Sequence, residues 1–351
     1  MQTDLVVFGL GDSNPYAKQL AEQYLNIALA EHEENYFDDG ECYVRSKENV
    51  RGKDVFVICS LCNTQHERLA DKVVKLLFFT GSLRDASARR ITLVFPYMAY
   101  QRQDRKNKSR APIYTKYFPM ILESVRQHGD RILVLDPHNL SAFQSGNRYV
   151  NDHVEAKGLI AEAIAKQIQK KKIDNLVVLS PDEGGVKRAR FFRDTLAKEM
   201  SWNLDIAYVD KIHENNGHIE ANEIIGDVSG KHVVIYDDMI SSGKTMVEAA
   251  NAVEAAGGCV YAVCATHALC VGSAQEHLRT LMEKSIEIFT TDSVLPFGGE
   301  IESTADIIEH MHIIPTWALI GEAILRIHQD DSVSSLIGDC FSTSCGVKKV
   351  I

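Results

Sequence analysis

The chain has 351 residues, 45% of them apolar, which is enough for two domains with sizeable cores. Its 38 basic and 48 acidic residues give a net charge of -10, which argues against a general nucleic-acid-binding protein because such proteins are usually basic. No stretch reaches the roughly 18 consecutive apolar residues of a membrane span, and no basic segment precedes the first apolar run, so we expect a cytoplasmic protein without membrane partners.

Short apolar segments alternate with longer amphipathic ones, which is the pattern of β-α-β units and parallel sheets. The segments are apolar throughout rather than alternating, as in sheets that helices cover on both faces. The predicted strands are 5–10, 54–60, 90–98, 131–137, 175–182, 205–210, 232–238, 260–269 and 286–291. Helices are predicted at 66–81, 156–172 and 244–258, and the last ends on a glycine pair suited to a helix C-cap.

The succession of units begins again after about residue 155. We therefore predict two α/β domains, 1–155 and 156–337, each with a mostly parallel sheet flanked by helices. The last helix, about 316–328, is a candidate to pack on the N-terminal domain. The stretch 136–152 is interpreted as a long loop, and 338–351 as a flexible tail.

One aromatic residue in the first half stands close to two acids, in Phe37, Asp39 and Glu41. A purine ring could stack on Phe37 while carboxylate or carbonyl oxygens accept hydrogen bonds from its amino group. The turn of a hairpin explains the stretch equally well, so the two interpretations stay open.

Cations are concentrated after the strand at 90–98, at Arg102, Arg105, Lys106, Lys108 and Arg110. Ligands bind at the carboxyl ends of strands in open sheets, and clustered cations there suit a polyphosphate. A solvated loop is the alternative. Asp136 and His138 end the next strand, where they could bind a metal ion or contact a phosphate chain.

The stretch VVIYDDMISSGKTM, 233–246, ends like a nucleotide-binding P-loop, but Asp238 occupies the place of that motif's first glycine. What remains is a strand, two acids and a loop of small residues that opens a helix. Backbone N–H groups in such a loop can hold one phosphate. The pattern therefore predicts a bound ribose phosphate, with its hydroxyls on Asp237 and Asp238 and its phosphate on Ser241, Ser242, Gly243, Lys244 and Thr245.

This stretch resembles the phosphoribosyl-pyrophosphate-binding motif of the phosphoribosyltransferase fold. Transferases that consume that compound share the motif with the enzyme that makes it. Further stretches resemble ribose-phosphate pyrophosphokinases: FDDGE (37–41), NVRGKDVFV (49–57), RQDRKNKSRAPI (102–113), DPH (136–138), LSPDEGGVKRAR (179–190), GDVSGKHVVIYDDM (226–239) and HQDDSVSSLI (328–337). The transferases need none of the first three, so the resemblance, which runs from about residue 4 to Ile337, favours the pyrophosphokinase family.

That resemblance implies two phosphoribosyltransferase-like domains that transfer the diphosphoryl group of ATP to the anomeric hydroxyl of ribose 5-phosphate. It implies a homo-oligomer, a dimer or hexamer, in which Phe37, Asp39 and Glu41 reach the adenine from a neighbouring subunit. Further ATP contacts are implied at Arg102, Gln103 and Asp104. The implied cofactor is Mg²⁺, associated with His138, Asp182 and Asp136.

Lys211 matches the family's catalytic lysine, at the start of a mobile loop, 210–218. His213 stands where family members usually carry an arginine, and we group it with Lys211 as catalytic. This departure, with the altered stretch after His138, leaves open a catalytically silent homologue that regulates an active partner by co-assembly. A phosphoribosyltransferase is a third possibility. Positions of a phosphate and ADP regulatory site are matched by Arg51, Ser87, Arg110, Ser332 and Ser334.

Overall fold

A computed structural model of the chain describes residues 4–146, 150–213 and 220–338, with the backbone alone for 211–213 and 220–222. The chain forms two compact units. The first contains residues 4–155 and 316–338, and the second contains 156–315. The fold class predicted from the sequence, α/β with mostly parallel sheets flanked by helices, is confirmed.

The strands are β1 (Leu5–Gly9), β2 (His32–Tyr36), β3 (Cys42–Ser46), β4 (Asp54–Ile58), β5 (Arg90–Phe95), β6 (Arg131–Leu135), β7 (Val150–Val154), β8 (Leu176–Ser180), β9 (Asp205–His213), β10 (Glu220–Ile225), β11 (His232–Ile240), β12 (Cys259–Ala268), β13 (Glu287–Thr291) and β14 (Met311–Ile314). The α-helices are α1 (Asn14–Gln19), α2 (Leu69–Asp85), α3 (Tyr114–Glu123), α4 (Leu140–Gly146), α5 (Lys157–Lys171), α6 (Val186–Met200), α7 (Lys244–Ala255), α8 (Ala274–Glu283), α9 (Ala305–His310), α10 (Trp317–His328) and α11 (Ser335–Gly338). Short 3₁₀ helices cover Gly11–Ser13 and Pro296–Gly299, and a π-helical turn covers Leu20–Tyr24.

In the first unit a parallel sheet has the strand order β1-β4-β5-β6-β7. Every residue of β4 is buried, which explains why its sequence is apolar rather than alternating. Strands β2 and β3 form a separate antiparallel hairpin that packs against α2. Helix α2 in turn buries Leu76, Phe79 and Leu83, whose spacing of three and four residues places them on one face.

In the second unit the sheet order is β10-β9-β8-β11-β12-β13-β14, parallel except for β10 against β9. Helix α7 buries Met246, Ala249 and Val253 on one face and ends at a glycine pair. Gly257 has a φ of 80°, and the N–H of Gly258 donates to the carbonyl of Val253 at 2.9 Å. The predicted C-cap is confirmed, because this left-handed position is one that glycine adopts without strain.

All nine predicted strands are present, but the interpretation of 136–152 as a loop is wrong. The stretch contains α4 and the start of β7. Strand β7 lies at the sheet edge and begins with exposed Val150 and polar Asn151 and Asp152, so it lacks the apolar run that marks a buried strand. Strands β2, β3, β10 and β14 were also not predicted. No helix within the described ranges is both long and apolar enough to cross a bilayer.

Candidate active site

The acid pair of the second unit lies on an open edge of β11. Pairing between β11 and β8 ends at Ile235 and Leu179, whereas pairing with β12 continues to Ile240 and Ala268. The sequence-based placement of the two acids at the end of the strand is therefore wrong by a few residues, because the ladder to β12 holds the strand extended beyond them. Their edge on the β8 side is left to the loop after β8 and to helix α6.

Arg188, near the start of α6, neutralises part of this acidic edge. Its Nη1 donates to Oδ1 of Asp237 at 2.6 Å and lies 3.1 Å from Oδ1 of Asp238. Asp182, in the loop before α6, accepts a hydrogen bond from the N–H of Gly185 at 2.8 Å. Arg188 was not among the predicted site residues, although it lies in one of the stretches on which the resemblance rests. The signal was its position two residues into a helix that follows Gly184-Gly185 and a buried strand.

Burial and mutual repulsion make the acid pair reluctant to ionise fully. The side chain of Asp237 is 16% exposed and that of Asp238 is 4% exposed. Burial first, and the charge of Asp238 second, raise the pKa of Asp237 to about 8, against the opposing effect of Arg188. The two carboxyl groups thus form a site that gains from hydroxyl donors or a cation.

The three consecutive carbonyls of Ile240, Ser241 and Ser242 are hydrogen-bonded to the neighbouring segment 270–277. The N–H groups of Cys270 and Val271 donate to the carbonyls of Ile240 at 3.2 Å and Ser241 at 2.9 Å. Nδ1 of His277, on α8, lies 2.7 Å from the carbonyl oxygen of Ser242.

The N–H groups of this loop are left available. Those of Ser241, Ser242 and Gly243 donate to no acceptor among the residues that the structure describes. The N–H of Lys244 contacts the hydroxyl of Ser242 at 3.4 Å, and α7 begins at Lys244. Adjacent unpaired amides at the start of a helix form a site for one anion. The structure thus brings the predicted phosphate-loop residues together, beside the strand that carries the two acids.

The predicted adenine contacts share one turn in the first unit. Phe37, Asp39 and Glu41 lie between β2 and β3, where the N–H of Phe37 donates to the carbonyl of Glu41 at 2.9 Å. The ring of Phe37 is 58% exposed and meets Tyr43 edge to face at 6.3 Å. The turn of a hairpin, one of the two readings of this stretch, is confirmed, and it presents an aromatic face beside two acids.

A buried ion cluster anchors this hairpin to α2. The side chain of Lys75 is 3% exposed, and its Nζ donates to Glu34 of β2 at 2.6 Å and to Glu67 at 2.8 Å. Tyr36 donates to Glu67 at 2.7 Å, and His32 lies 2.6 Å from Glu34. Burial opposes the charge on Glu34, but hydrogen bonds from His32 and Lys75 outweigh it and lower the pKa of Glu34 to about 2. Hydrogen bonds to the two glutamates likewise raise the pKa of Lys75 despite its burial.

The five cationic side chains of the loop after β5 are exposed. No described residue forms a hydrogen bond or ion pair with the side chains of Arg102, Arg105, Lys106, Lys108 and Arg110. The loop itself is ordered: Nε2 of Gln103 donates to the carbonyl of Arg105 at 2.6 Å, and Asn139 donates to Asp104 at 2.7 Å. Such a loop offers several cations to an anion at no cost of broken ion pairs.

The loops after β5 and β6 are tied together, which brings the predicted residues of both close to each other. The N–H of His138 donates to Oε1 of Gln101 at 2.9 Å. Asp136, at the carboxyl end of β6, has a φ of 41° and donates its N–H to Val154 at 2.9 Å. In the described part of the chain, no group of three or more His, Cys, Asp or Glu side chains is arranged to hold a metal ion.

The predicted catalytic residues lie at the limit of the description. Lys211 and His213 belong to β9, where they pair with Asn222 and Glu220 of β10, but their side chains lie outside the described part. The expected loop thus begins later than residue 210. Polar residues at the end of β9 and in the edge strand β10 give no apolar signal, so the sequence predicted the strand only as far as residue 210 and did not predict β10. Residues 214–219 lie outside the described ranges.

Of the regulatory candidates, Arg51 and Ser87 lie in adjacent segments. Arg51 forms a β-bridge with Ala88, and the N–H of Gly52 donates to the carbonyl of Ser87 at 2.9 Å. Ser332 and Ser334 share the turn before α11, where the N–H of Ser334 donates to the Ser332 hydroxyl at 3.2 Å. Arg110 is the last cation of the exposed loop after β5. The role of these five residues stays a prediction.

Comparison with known proteins agrees with this architecture. Residues 5–125 match the family model for the N-terminal domain of ribose phosphate pyrophosphokinase, and 149–292 match the model for the phosphoribosyl transferase domain. The ribose-phosphate pyrophosphokinase of Hyphomonas neptunium is 37% identical over 92% of this chain and 96% of its own length. That of Caldanaerobacter subterraneus is 37% identical over 93% and 96%.

A solved structure supports the same relationship. The phosphoribosylpyrophosphate synthetase of Mycobacterium smegmatis superposes with a TM-score of 0.79 at 27% identity. The match covers 93% of this chain and 99% of that one. The two predicted phosphoribosyltransferase-like domains are thereby confirmed as the fold.

Proposed function

The chain belongs to the ribose-phosphate pyrophosphokinase family, and from this we propose that it transfers the diphosphoryl group of ATP to the anomeric hydroxyl of ribose 5-phosphate. The products would be phosphoribosyl pyrophosphate and AMP. The observation that carries the proposal is the loop of unpaired N–H groups beside the strand that bears two acids, in the second unit.

Ribose 5-phosphate fits this arrangement by charge and by hydrogen bonding. The loop from Ser241 to Thr245 would bind the 5-phosphate through its amides. Asp237 and Asp238 would accept hydrogen bonds from the ribose hydroxyls. These bonds would offset the energetic cost of burying both carboxylates, which Arg188 alone neutralises only in part. Arg188 would hold the pair in place, because it already contacts both acids.

ATP fits the groups that the loop after β5 offers in the first unit. Arg102 has a planar guanidinium suited to two parallel bonds with a phosphate, and no described residue competes for it. Gln103 and Asp104 lie in the same loop. The turn with Phe37, Asp39 and Glu41 would contact the adenine of a nucleotide bound by a neighbouring subunit of a homo-oligomer.

Mg²⁺ fits the donor set that the chain offers. Mg²⁺ usually binds one or two protein carboxylates together with substrate phosphates and water, rather than an all-protein cage. Asp182 would supply a carboxylate in the second unit, and His138 and Asp136 would supply groups in the first. When bound, the ion neutralises charge on the phosphate oxygens.

The chain's own residues would mainly position the two substrates and neutralise the charge on their phosphates. Diphosphoryl transfer spreads negative charge over the phosphate oxygens, so catalysis depends on alignment and on cations. Lys211 would follow the migrating group as a compact positive charge, and His213 would assist it as a weaker donor than the usual arginine. One such charge-assisted contact lowers the barrier by about 3 kcal/mol.

A single assay tests the proposal and separates the alternatives. Purified protein is mixed with Mg²⁺, ATP and ribose 5-phosphate, and AMP is followed. AMP that appears only with the sugar phosphate supports the proposal, and ribose without phosphate serves as the control. If no AMP forms but the protein changes the activity of an added synthetase, it is a silent regulatory homologue. Consumption of phosphoribosyl pyrophosphate by a nucleobase would instead show a transferase.

A further inference from the structure

Among the described residues, His277 on α8 is the only one outside the loop from Ser241 to Gly243 whose side chain hydrogen-bonds to it. Three consecutive carbonyls of the segment Ile240–Ser242 are tied to the neighbouring segment, two by backbone N–H groups and the third by the imidazole. A carbonyl oxygen only accepts hydrogen bonds, so Nδ1 of His277 must carry the proton in this contact. The imidazole is thus a fixed donor to the loop.

The consequence follows from the planarity of the peptide bond. The carbonyl of Ser242 and the N–H of Gly243 belong to one trans peptide, in which the two groups point in opposite directions. When His277 binds the carbonyl, the N–H of Gly243 is turned to the other side of the loop. The same holds for the N–H groups of Ser241 and Ser242, whose preceding carbonyls are bound by Cys270 and Val271.

Gly243 also packs against His277. Its φ of 77° is left-handed, and a Cβ atom placed on it would lie 3.2 Å from Cβ of His277. The loop therefore packs directly on the first turn of α8, and the N–H of His277 is itself fixed by the carbonyl of Ser273 at 3.2 Å. Backbone conformation, packing and hydrogen bonding all join the imidazole to this one peptide.

We propose that His277 is a positioning residue for the 5-phosphate of the sugar substrate: by binding the Ser242 carbonyl it aims the Gly243 N–H at the phosphate. This rests on the proposed function of the loop. His277 touches the loop and not the reacting atoms, so its loss weakens the binding of the phosphate and leaves the nucleotide site unchanged.

The test compares three substitutions at this position. His277→Ala removes the donor. His277→Asn keeps an N–H at the atom attached to Cγ, where Nδ1 stands, and His277→Gln moves it one bond further out. Thr280→Ala is the matched control, because the Thr280 hydroxyl lies on the same helix and donates to the carbonyl of Glu276 within that helix. Each protein is titrated with ribose 5-phosphate by calorimetry without ATP, and is then assayed for both Michaelis constants.

The expected result is a rise of about five-fold to ten-fold in the dissociation constant and KM for ribose 5-phosphate in His277→Ala and His277→Gln, from the loss of one hydrogen bond. KM for ATP stays unchanged, and His277→Asn and Thr280→Ala resemble the wild type. Unchanged sugar-phosphate binding in His277→Ala, an equal rise in KM for ATP, or failure of the wild type to bind ribose 5-phosphate would overturn the inference. If binding shifts as expected but the wild type forms no AMP, the inference stands and the proposed reaction fails.

Discussion

The acid pair should make the second unit less stable as the pH rises, and Asp237→Asn should remove that effect. Asp237 has a pKa of about 8 in the folded chain, whereas an unfolded aspartate has a pKa of about 4. The folded state therefore holds a proton that the unfolded state has released, and stability is lost as the pH rises from about 4 to about 8. The asparagine is a neutral isostere and has no proton to lose.

The magnitude follows from the size of the pKa shift. One unit of pKa difference corresponds to about 1.4 kcal/mol, so the wild type should lose on the order of 2–4 kcal/mol of unfolding free energy between about pH 5 and about pH 8. Because the charge of the neighbouring Asp238 is one cause of the raised pKa of Asp237, the loss depends on both residues. Asp237→Asn should be more stable than the wild type at about pH 8 while losing the proposed activity.

The two tryptophans allow this to be measured in one unit. Trp202 lies in the second unit and Trp317 in the first, so in a Trp317→Phe background fluorescence reports the second unit. Urea unfolding is followed at several pH values without ligand. Asp174→Asn, which replaces an exposed carboxylate in the same unit, is the control. Its unfolding free energy should change with pH by the same slope as in the wild type. A slope in Asp237→Asn equal to that of the wild type would refute the reasoning.

Three further predictions concern other parts of the chain. Lys211→Ala should lower turnover by orders of magnitude with modest change in both KM values, and near-normal turnover in the AMP assay would show that the catalytic lysine is elsewhere. Gly243→Ala should raise KM for ribose 5-phosphate tenfold or more, because the alanine would be strained at this left-handed φ and its Cβ would press on His277. Gly257→Ala, at an equally left-handed position at the far end of α7, should lower stability without changing that KM. Lys75→Met should destabilise the first unit by about 3–5 kcal/mol, because two partly buried glutamates lose their buried cation, and Trp317 fluorescence in a Trp202→Phe background measures it; a loss below about 1 kcal/mol would contradict this.

The buried strands were predictable because one physical rule governs them. A strand covered on both faces must be apolar throughout, and β4 and β8 follow that rule over their whole length, or nearly so. The elements that were missed obey a different rule. Strands β2, β7 and β10 are exposed or lie at an edge. Polar side chains are tolerated there, so the sequence carries no apolar run.

The part of the site that lies in one short stretch of sequence was predictable. The contacts between residues far apart in the sequence were not. Asp237 and the loop from Ser241 to Thr245 lie within nine residues, so their chemistry can be read from one stretch. Arg188 lies 49 positions from Asp237, and His277 lies 35 from Ser242. Only the fold brings these pairs into contact, and no spacing rule along one element could have joined them.

Groups in both units are complementary to the proposed substrates. Two carboxylates share one arginine, three loop amides donate to no described acceptor, and a loop of five cations forms no described ion pair. Unless a ligand binds, each feature either lowers the stability of the fold or adds nothing to it. Ribose hydroxyls, a single phosphate and a triphosphate are the groups that would satisfy them in turn. A chain shaped only for stability would have paired the three loop amides and the five cations internally, so their presence together supports the proposed substrate binding.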